Sequence, residues 1–507
     1  MNKIFSVLSL GLMASTGFAQ QIAKPNIVFI YADDLGFGDL SCYGATRVQT
    51  PNVDGLARDG IRFVNAHSAA ATSTPSRYGL LTGEYPWRRN GTGIAAGDAA
   101  LIINPERCTV PKILKEAGYA TGAVGKWHLG LGRETGKQDW NDKITPGPKE
   151  IGFDYSYIMA ATADRVPCVF VENQRVVGLD PRDPIQVSYT KNFPGEPTGK
   201  NNPELLTKLK PSHGHDMSIV NGISRIGYMK GGKSALWKDE NIADSITAHA
   251  VKFIEANKDN PFFLYFATND VHVPRYPNSR FWGKTDMGFR GDAIVQFDWS
   301  VGEIVKALES AGIRENTLII ITSDNGPVVD DGYADQAVEK LMNHKPWGPF
   351  RGGKYSTFEA GTRVPFIVNW QGKIASKKSE ALVSQIDLLA TLAKLTEVDI
   401  SAKEVADSRD QLDAWLGHDE KGRDYIIGSA DGLTILTRQW KYIEPNEGAA
   451  YNPLTHTELG NDRHDQLYDM LHDRGEYDNI ATENPLIVRF LKEILQEEKS
   501  KGIGLSL

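Results

Sequence analysis

The sequence predicts an α/β fold of three layers (αβα), in which a large, mostly parallel mixed sheet lies between two layers of helices. Continuous apolar runs rich in β-branched and aromatic side chains are typical of strands that are buried on both faces. Helical patterns alternate with these runs along the chain, as expected for a sheet whose parallel strands are joined by helices.

Three apolar runs are predicted as strands, and polar residues follow each of them. The predicted strands are Asn26–Ala32, Pro261–Ala267 and Leu318–Thr322. Because the carboxyl ends of parallel strands meet at one edge of a sheet, where ligands bind in such folds, we expect a site at this edge. The polar residues that follow the three strands are Asp33-Asp34, Asn269-Asp270 and Asp324-Asn325.

Helices are predicted between these strands. Pro111 favours the start of one helix and Gly118 its end, since proline suits the first turn and glycine the position after the last. The predicted helices are Val110–Gly118, Ile242–Asn257 and Gly291–Gly312, and a further strand is predicted at Val364–Trp370.

Residues 421–507 are predicted to form a smaller C-terminal α+β subdomain with an antiparallel sheet, and residues 20–420 the larger N-terminal α/β domain. Short strands are expected at 434–437 and 441–443. Pro485–Lys499 has the spacing of an amphipathic helix. The predicted apolar face of that helix consists of Ile487, Phe490, Leu491 and Leu495.

Composition excludes several classes of protein. The 507 residues are 41% hydrophobic and 24% charged, which supplies a large core. The net charge is −8, and no dense block of lysine and arginine occurs, so a nucleic acid is not expected as a partner.

Residues 1–19 are predicted to be a signal peptide. Lys3 is followed by an apolar stretch from Ile4 to Phe18, and Gly17 and Ala19 suit a cleavage site after residue 19. We therefore expect an exported protein, periplasmic or extracellular, whose mature chain has no membrane span. The alternative is an N-terminal helix that stays attached.

The cysteines are few and far apart. Cys42, Cys108 and Cys168 match no zinc-binding spacing. We expect three buried or half-buried thiols, and the alternative is one disulfide with one free thiol.

Four residues at the predicted sheet edge are hard oxygen donors: Asp33, Asp34, Asp324 and Asn325. Carboxylate and amide oxygens suit Ca²⁺ or Mg²⁺ rather than a thiolate-preferring metal. Taken singly, the same residues are also common in turns.

A second motif predicts a helix that begins at an anion-binding position. In Ser73-Thr74-Pro75-Ser76-Arg77, proline suits the first helical position and Thr74 the N-cap. Ser73 would then lie at a helix N-terminus, where free N–H groups attract anions, and Arg77 adds a permanent charge with paired donors.

The motif and five others in the same order resemble those of the type I, formylglycine-dependent sulfatases of the alkaline phosphatase superfamily. The Ser73–Arg77 motif is followed by Leu-Thr-Gly, as in that family, and a serine at its first position resembles the serine-type branch. The alternative origin of this serine is an engineered replacement of cysteine. The other matching segments are Asn26–Asp34, Gly125–Gly130, Asp270–Pro274, Thr322–Gly326 and Gly352–Lys354, with Leu467–Asp469 near the C-terminus.

The resemblance implies a cofactor and a maturation partner. Ser73 would be oxidised to Cα-formylglycine by a radical-SAM sulfatase-modifying enzyme. The implied cation is Ca²⁺, with Mg²⁺ as the alternative. The implied metal ligands are Asp33, Asp34, Ser73, Asp324 and Asn325.

The resemblance also implies a mechanism of sulfate ester hydrolysis. A hydroxyl of the hydrated formylglycine attacks sulfur, and cationic side chains neutralise the sulfate oxygens. His272, or Lys354 with it, would protonate the leaving oxygen, and His128 would accept the proton that allows sulfate to depart. The implied catalytic residues are Ser73, Arg77, Lys126, His128, His272 and Lys354.

The predicted function is that of an exported sulfatase acting on a sulfated carbohydrate of a host glycan, such as a mucin O-glycan or a glycosaminoglycan. Two alternatives remain: a phosphodiesterase or phosphonate hydrolase of the same superfamily, and a glycan-binding relative without activity. Polar residues in the atypical loops are candidates for contacts with the sugar, although solvated or structural roles are common for such residues. These candidates are Asp164, Arg165, His215 and Glu339.

Overall fold

The structure is a computed structural model that describes residues 24–501. The predicted signal peptide, residues 1–19, lies outside the described residues. Within residues 24–501, no helix has the length and apolar character needed to cross a membrane.

A ten-stranded mixed sheet forms the centre of the molecule, which confirms the predicted α/β class. The three strands predicted first are all present, with bounds that differ by one residue or less. The ten strands are β1 (Asn26–Ala32), β2 (Ile61–Phe63), β3 (Ala120–Lys126), β4 (Tyr155–Met159), β5 (Phe170–Glu172), β6 (Arg175–Val176), β7 (Phe262–Ala267), β8 (Thr317–Ser323), β9 (Phe366–Trp370) and β10 (Lys377–Ser379).

The strands follow the order β10-β2-β9-β8-β1-β7-β3-β4-β5-β6. The five central strands, from β8 to β4, are parallel, and antiparallel pairings flank them on both sides. All residues of β1, β7 and β8 are buried, because helices cover both faces of the parallel strands. This double burial is the reason that the runs are continuously apolar.

The helices form two groups, which makes the fold three-layered. Helix α5 packs against both α1 and α4, and α2, α3 and α6 form the second group. Helix α5 begins three residues before the predicted Gly291, because the buried pair of Arg290 with Asp39 holds the first turn in place. The helices are α1 (Pro51–Arg58), α2 (Ser73–Thr82), α3 (Val110–Glu116), α4 (Ile242–Asn257), α5 (Gly288–Ser310), α6 (Leu388–Leu395), α7 (Leu412–Trp415) and α8 (Pro485–Ser500).

A separate antiparallel sheet of four strands, in sequential order, lies in the C-terminal part of the chain, as predicted. Helix α8 packs on this sheet through Val488, Leu491 and Leu495. The prediction that Phe490 belongs to the packed face is wrong: its side chain is 59% exposed, because Val488 takes the inward position. The boundary at residue 420 stays a prediction. The four strands are β11 (Ile426–Ser429), β12 (Leu433–Leu436), β13 (Trp440–Ile443) and β14 (Gln466–Asp469).

The three cysteines are all free thiols, as expected. Cys168 is buried, and Cys42 and Cys108 are half-buried. No disulfide therefore contributes to the stability of residues 24–501.

Candidate active site

The parallel strands bring the predicted residues together at one edge of the sheet. Asp33 follows β1, Lys126 ends β3, His272 lies in the loop after β7, and Asp324 follows β8. The N-terminus of α2 approaches this edge and supplies Ser73. Distant stretches of the sequence thus converge because their strands are parallel neighbours.

Helix α2 begins two residues earlier than expected. Its N-cap is Thr72, and Ser73 is the first helical residue, so the prediction of Thr74 as N-cap is wrong. The hydroxyl of Thr74 instead donates to the carbonyl oxygen of His128 at 3.0 Å. This bond fixes the start of the helix against the loop that carries His128.

Arg77 lies at the centre of the site and donates hydrogen bonds to three of its side chains. Its guanidinium is fully buried and donates to Ser73 Oγ at 2.9 Å, Asp324 Oδ2 at 2.8 Å and the Tyr265 hydroxyl at 3.2 Å. Because the donors of arginine are rigidly arranged, this contact set fixes the position of the Ser73 side chain.

The four oxygen donors form one buried cluster together with two lysines. Lys126 Nζ donates to Asp33 Oδ2 at 2.6 Å, and Lys354 Nζ donates to Asp34 Oδ2 at 2.9 Å. Asn325 Nδ2 donates to Asp34 Oδ1 at 2.7 Å. Neighbouring strands must approach closely here, and Gly125 allows it: a Cβ atom at this position would lie 1.8 Å from the Ala267 carbonyl oxygen.

Two atoms of this cluster indicate a place for a cation. Asp33 Oδ1 and Asn325 Oδ1 are buried and accept no hydrogen bond. Burial of an unpartnered acceptor is costly, and a cation would satisfy both atoms. The donor set of carboxylate and amide oxygens therefore fits Ca²⁺ or Mg²⁺.

His272, which the sequence analysis names as a catalytic residue and not as a metal ligand, also lies against this cluster. One ligating atom each of Asp33, Asp34 and His272 lies within 4.8 Å of the others. His272 Nε2 is 3.8 Å from Asp34 Oδ2, and Nδ1 is 2.6 Å from the Val273 carbonyl oxygen.

Two residues of the site have a left-handed backbone that is uncommon outside glycine. The φ angles are 55° at Asp34 and 54° at His128. Such conformations cost energy and persist at sites where the surrounding structure imposes them. At both positions they turn the side chain toward the site at the end of a strand.

Burial and neighbouring charges shift the pKa values of the cluster in opposite directions. Burial, with Asp324 and Asp34 nearby, raises the pKa of Asp33 well above its usual value. Burial opposes the ionisation of Asp324 as well, but Arg77 and Lys126 hold the pKa of Asp324 below its usual range. The pKa of Lys354 is well above its usual value despite burial, because Asp331 and Asp34 face the ammonium group.

A cavity of about 70 Å³ opens onto this cluster. Its wall combines the predicted catalytic groups with polar residues from the long loops. The lining residues are Ser73, Ile94, His128, Asp164, Arg165, His215, Ile226, His272, Asp331, Lys354 and Tyr355.

Three of the four predicted substrate residues form one linked group on the wall of this cavity. His215 Nε2 lies 2.9 Å from Asp164 Oδ2, and Arg165 Nη1 donates to Asp164 Oδ1 at 3.0 Å. Despite burial, Arg165 keeps the pKa of Asp164 well below its usual value, and Asp164 raises the pKa of His215. The group can offer both donors and an acceptor to a polar ligand.

Glu339 does not join this group. Its side chain is exposed, and it is not among the residues that line the cavity. It lies in the long connection between β8 and β9, whose path the sequence does not determine.

The sequence did not indicate Asp331 and Tyr355. Asp331 Oδ2 accepts from Lys354 Nζ at 2.7 Å, and Asp331 Oδ1 accepts from the Tyr355 hydroxyl at 2.9 Å. Tyr355 could have been inferred as a site residue, because it directly follows Lys354, which the sequence indicates as catalytic. Asp331 lies in a loop without a motif, and only the folded chain brings it to the lysine.

Comparison with known proteins assigns the family. A family model described as "Sulfatase" matches residues 25–398, and the chain therefore belongs to the sulfatase family. It is a sulfuric ester hydrolase, and the collinear resemblance found in the sequence is confirmed.

Among its relatives is an N-acetylgalactosamine-6-O-sulfatase of Bacteroides thetaiotaomicron, 56% identical over 95% of this chain and 94% of the relative. Human arylsulfatase A is 30% identical over 96% of this chain and 90% of its own length. A solved structure from a study of glycosaminoglycan metabolism in Bacteroides thetaiotaomicron superposes with a TM-score of 0.92 at 56% identity, covering 94% of this chain and 99% of that one.

Proposed function

We propose that this sulfatase removes the 6-O-sulfate of N-acetylgalactosamine in a host glycan, a glycosaminoglycan in particular. The observation that carries the proposal is the cavity, where a cationic, sulfate-binding end meets the linked group Asp164, Arg165 and His215. The relative that is 56% identical is itself an N-acetylgalactosamine-6-O-sulfatase, which supports the choice of sugar and position.

The cationic end suits a sulfate ester. Lys354, His272 and Ser73 line the cavity, and Arg77 and Lys126 lie directly behind Ser73 and Asp33. Charges fixed in a water-poor site stabilise the negative charge that builds up on the sulfate oxygens during hydrolysis. A neutral ester would gain little from this arrangement.

Formylglycine at position 73 supplies the nucleophilic oxygen once formed and hydrated, and a divalent cation held by Asp33, Asp34, Asp324 and Asn325 polarises the sulfate. The chain's own residues prepare this chemistry. Arg77 Nε fixes the oxygen of residue 73 at 2.9 Å, and His128 Nδ1 lies 3.3 Å from the same oxygen.

The two histidines have different tautomers. His128 Nε2 lies 2.9 Å from the Ala95 carbonyl oxygen and must donate to it, so Nδ1 presents its lone pair to residue 73 and can accept a proton there. His272 Nδ1 donates to the Val273 carbonyl oxygen, so Nε2 faces the cavity. We assign His128 as the base. Burial and Lys354 lower the pKa of His272 to about 4, so its Nε2 can donate a proton only as the imidazolium, a form that the negative charge of a bound sulfate favours. We assign His272 in this form, together with the Lys354 ammonium, as the acid that protonates the leaving sugar oxygen.

Maturation and export belong to the same proposal. The serine at position 73 is proposed to be oxidised by a radical-SAM enzyme before the protein acts in the periplasm or outside the cell. Mass spectrometry of protein from its native host tests the oxidation: a loss of two hydrogens at Ser73 is expected. An unmodified serine in all molecules would instead favour a binding protein without activity.

The phosphonate hydrolase alternative receives no specific support. A phosphonate monoester hydrolase of Agrobacterium radiobacter superposes with a TM-score of 0.58 at 15% identity, a likeness that concerns the fold alone. Matched sulfate and phosphate esters of the same sugar separate the two activities. A preference for the phosphate ester would contradict the proposal.

Substrate choice is tested with mature enzyme and defined monosaccharides. We expect sulfate release from N-acetylgalactosamine 6-sulfate and little from its 4-sulfate or from N-acetylglucosamine 6-sulfate. His215→Ala should raise KM for the preferred sugar more than it lowers kcat, because it removes a ligand contact rather than a reacting group. Equal rates on all three sugars would contradict the assignment of the sugar.

A further inference from the structure

A second cavity, of about 350 Å³, lies between the edge of the central sheet and the C-terminal sheet. Five cationic side chains line it and one carboxylate, Glu380, faces them. We call this cavity the basic groove. Its cationic residues are Arg62, Arg363, Lys378, Arg438 and Arg474.

The charges of the basic groove are poorly compensated. Among residues 24–501, Arg62, Arg438 and Arg474 form no ion pair with a carboxylate. Lys378 pairs with Glu380 at 3.2 Å, and Arg363 is neutralised by the buried Glu359 at 2.7 Å. In a protein with a net charge of −8, the basic groove is therefore a local concentration of positive charge.

The fold brings these charges together at a cost. Arg62 of β2 lies directly opposite Lys378 of β10 in the parallel pairing, and like charges in facing positions destabilise a sheet. Burial lowers the pKa of Arg363, and Arg474 adds to the lowering. An anion bound in the groove would relieve this repulsion.

The basic groove and the active site both lie at the edge of the central sheet where the parallel strands end. Strand β2 is antiparallel to β9, which is antiparallel to β8, so β2 and β8 run in the same direction and end at the same edge. Val64, which follows β2, lines the groove. Two strand spacings, about 10 Å, separate the ends of β2 and β8.

We propose that the basic groove binds an anionic saccharide chain, through its sulfate or carboxylate groups, at a second site distinct from the catalytic cavity. The volume is within the range of small-ligand sites, about 300–1,000 Å³. The proposal rests on the proposed function, since it takes the polymeric substrate as the ligand. Binding here would hold the polymer beside the catalytic cavity.

The groove is poorly suited to single-stranded nucleic acid. Such a ligand requires aromatic faces on which bases stack. Phe37 and Phe350 are buried and pack edge to face on each other, with ring centroids 5.0 Å apart. Phe37 and Phe350 therefore offer apolar contact but no free ring face on which a base could stack.

The test is calorimetric titration of a chondroitin 6-sulfate hexasaccharide into the Ser73→Ala protein, which cannot turn over. Arg438→Ala combined with Arg474→Ala should weaken binding on the order of tenfold at low salt, because two charge-assisted contacts are lost. Arg463→Ala combined with Arg489→Ala removes the same charge from exposed positions outside the groove and should leave the Kd unchanged.

Both pairs of arginines are exposed, so the variants should keep the unfolding temperature of the parent, and the single Arg438→Ala variant provides a second measurement. An unchanged Kd in the groove variants would overturn the proposal. A single-stranded DNA of equal charge serves as the comparison ligand. If it binds as tightly as the hexasaccharide, and if the groove substitutions weaken its binding to the same extent, the assignment to a saccharide is overturned.

A separate measurement distinguishes this proposal from the proposed function. Mature enzyme with the two groove substitutions should hydrolyse the monosaccharide N-acetylgalactosamine 6-sulfate at the parental rate, since this substrate is too short to reach the groove. If the parent itself does not hydrolyse that sugar, the proposed function fails while the titration still reports on the groove. Loss of monosaccharide hydrolysis in the groove variants alone would contradict two distinct sites.

Discussion

Replacement of Arg77 tests whether one buried guanidinium both stabilises the fold and positions the reacting oxygen. In Arg77→Ala, the buried carboxylate of Asp324 loses its cationic partner at 2.8 Å and keeps Lys126 at 3.7 Å and the Asp34 backbone N–H at 3.2 Å. Removal of one member of a buried ion pair costs about 3–5 kcal/mol of the free energy of unfolding. Loss of the donor to Ser73 Oγ should also reduce kcat by about 10²–10³.

Arg88 provides a matched control. It is also buried, although less deeply, and pairs with Asp407 at 2.7 Å and Glu498 at 3.0 Å, but it does not line the catalytic cavity. Arg88→Ala should therefore cause a comparable loss of stability while the folded protein keeps its kcat. Arg77→Lys preserves the charge, loses the fork of donors and should retain most of the stability but little of the activity.

The assays are urea unfolding followed by fluorescence, and sulfate release by mature enzyme under conditions in which each variant is folded. Parental kcat in Arg77→Lys would refute the positioning role. Equal losses of kcat in the Arg77 and Arg88 variants would show that the loss comes from stability alone.

Three further predictions concern the acid, the cation and a buried carboxylate. His272→Ala should lower kcat on a sugar sulfate by about 10²–10⁴ and on an aryl sulfate far less, because a phenolate leaves without protonation; equal losses on both substrates would contradict the acid role. Addition of Ca²⁺ at about 100 times its Kd should stabilise the protein by about 2.7 kcal/mol, measured as a rise in unfolding temperature that a chelator reverses. Asp33→Asn should abolish that rise, and Asp98→Asn, which changes a buried aspartate outside the site, should preserve it; a rise that survives in Asp33→Asn would contradict the metal assignment. Glu476 is buried beside Lys441 and Glu359, and burial raises its pKa to about 7. Between its unfolded value of 4.5 and about 7 the folded state binds more protons than the unfolded state, so this carboxylate makes the free energy of unfolding fall as pH rises through that window. Glu476→Gln should flatten this slope, measured by urea unfolding at several pH values, whereas Glu483→Gln at an exposed position should not; an unaltered slope in Glu476→Gln would contradict the assignment.

Sequence alone predicted the central strands and the polar residues at their ends. The run Asn26–Ala32 is apolar at every position because both faces of β1 are covered, and this requirement is visible in the residues themselves. The pairs that follow β1 and β8 meet because parallel neighbours end at one edge. The oxygen-rich cluster is thus a consequence of local sequence and of a general rule of sheet topology.

Details of helix ends were less predictable. Thr74 is a good N-cap by residue type, yet its hydroxyl bonds to the carbonyl oxygen of His128 and the helix begins at Ser73. Phe490 has the spacing of a packed residue, yet it is exposed on α8. In both cases a contact with a distant part of the chain outweighs local preference.

The sequence by itself determined the fold class, the family and the residues of the oxygen cluster, since each depends on short motifs and on the burial of whole strands. Only the tertiary structure decided that Asp331 faces Lys354, that Glu339 lies outside the cavity, and that Arg62 and Arg474 share a groove. These contacts join residues in loops and at sheet edges that lie far apart in the chain. The periodicity of apolar residues in the sequence does not indicate such contacts. They arise from the path of the folded backbone rather than from the secondary-structure preference of any segment.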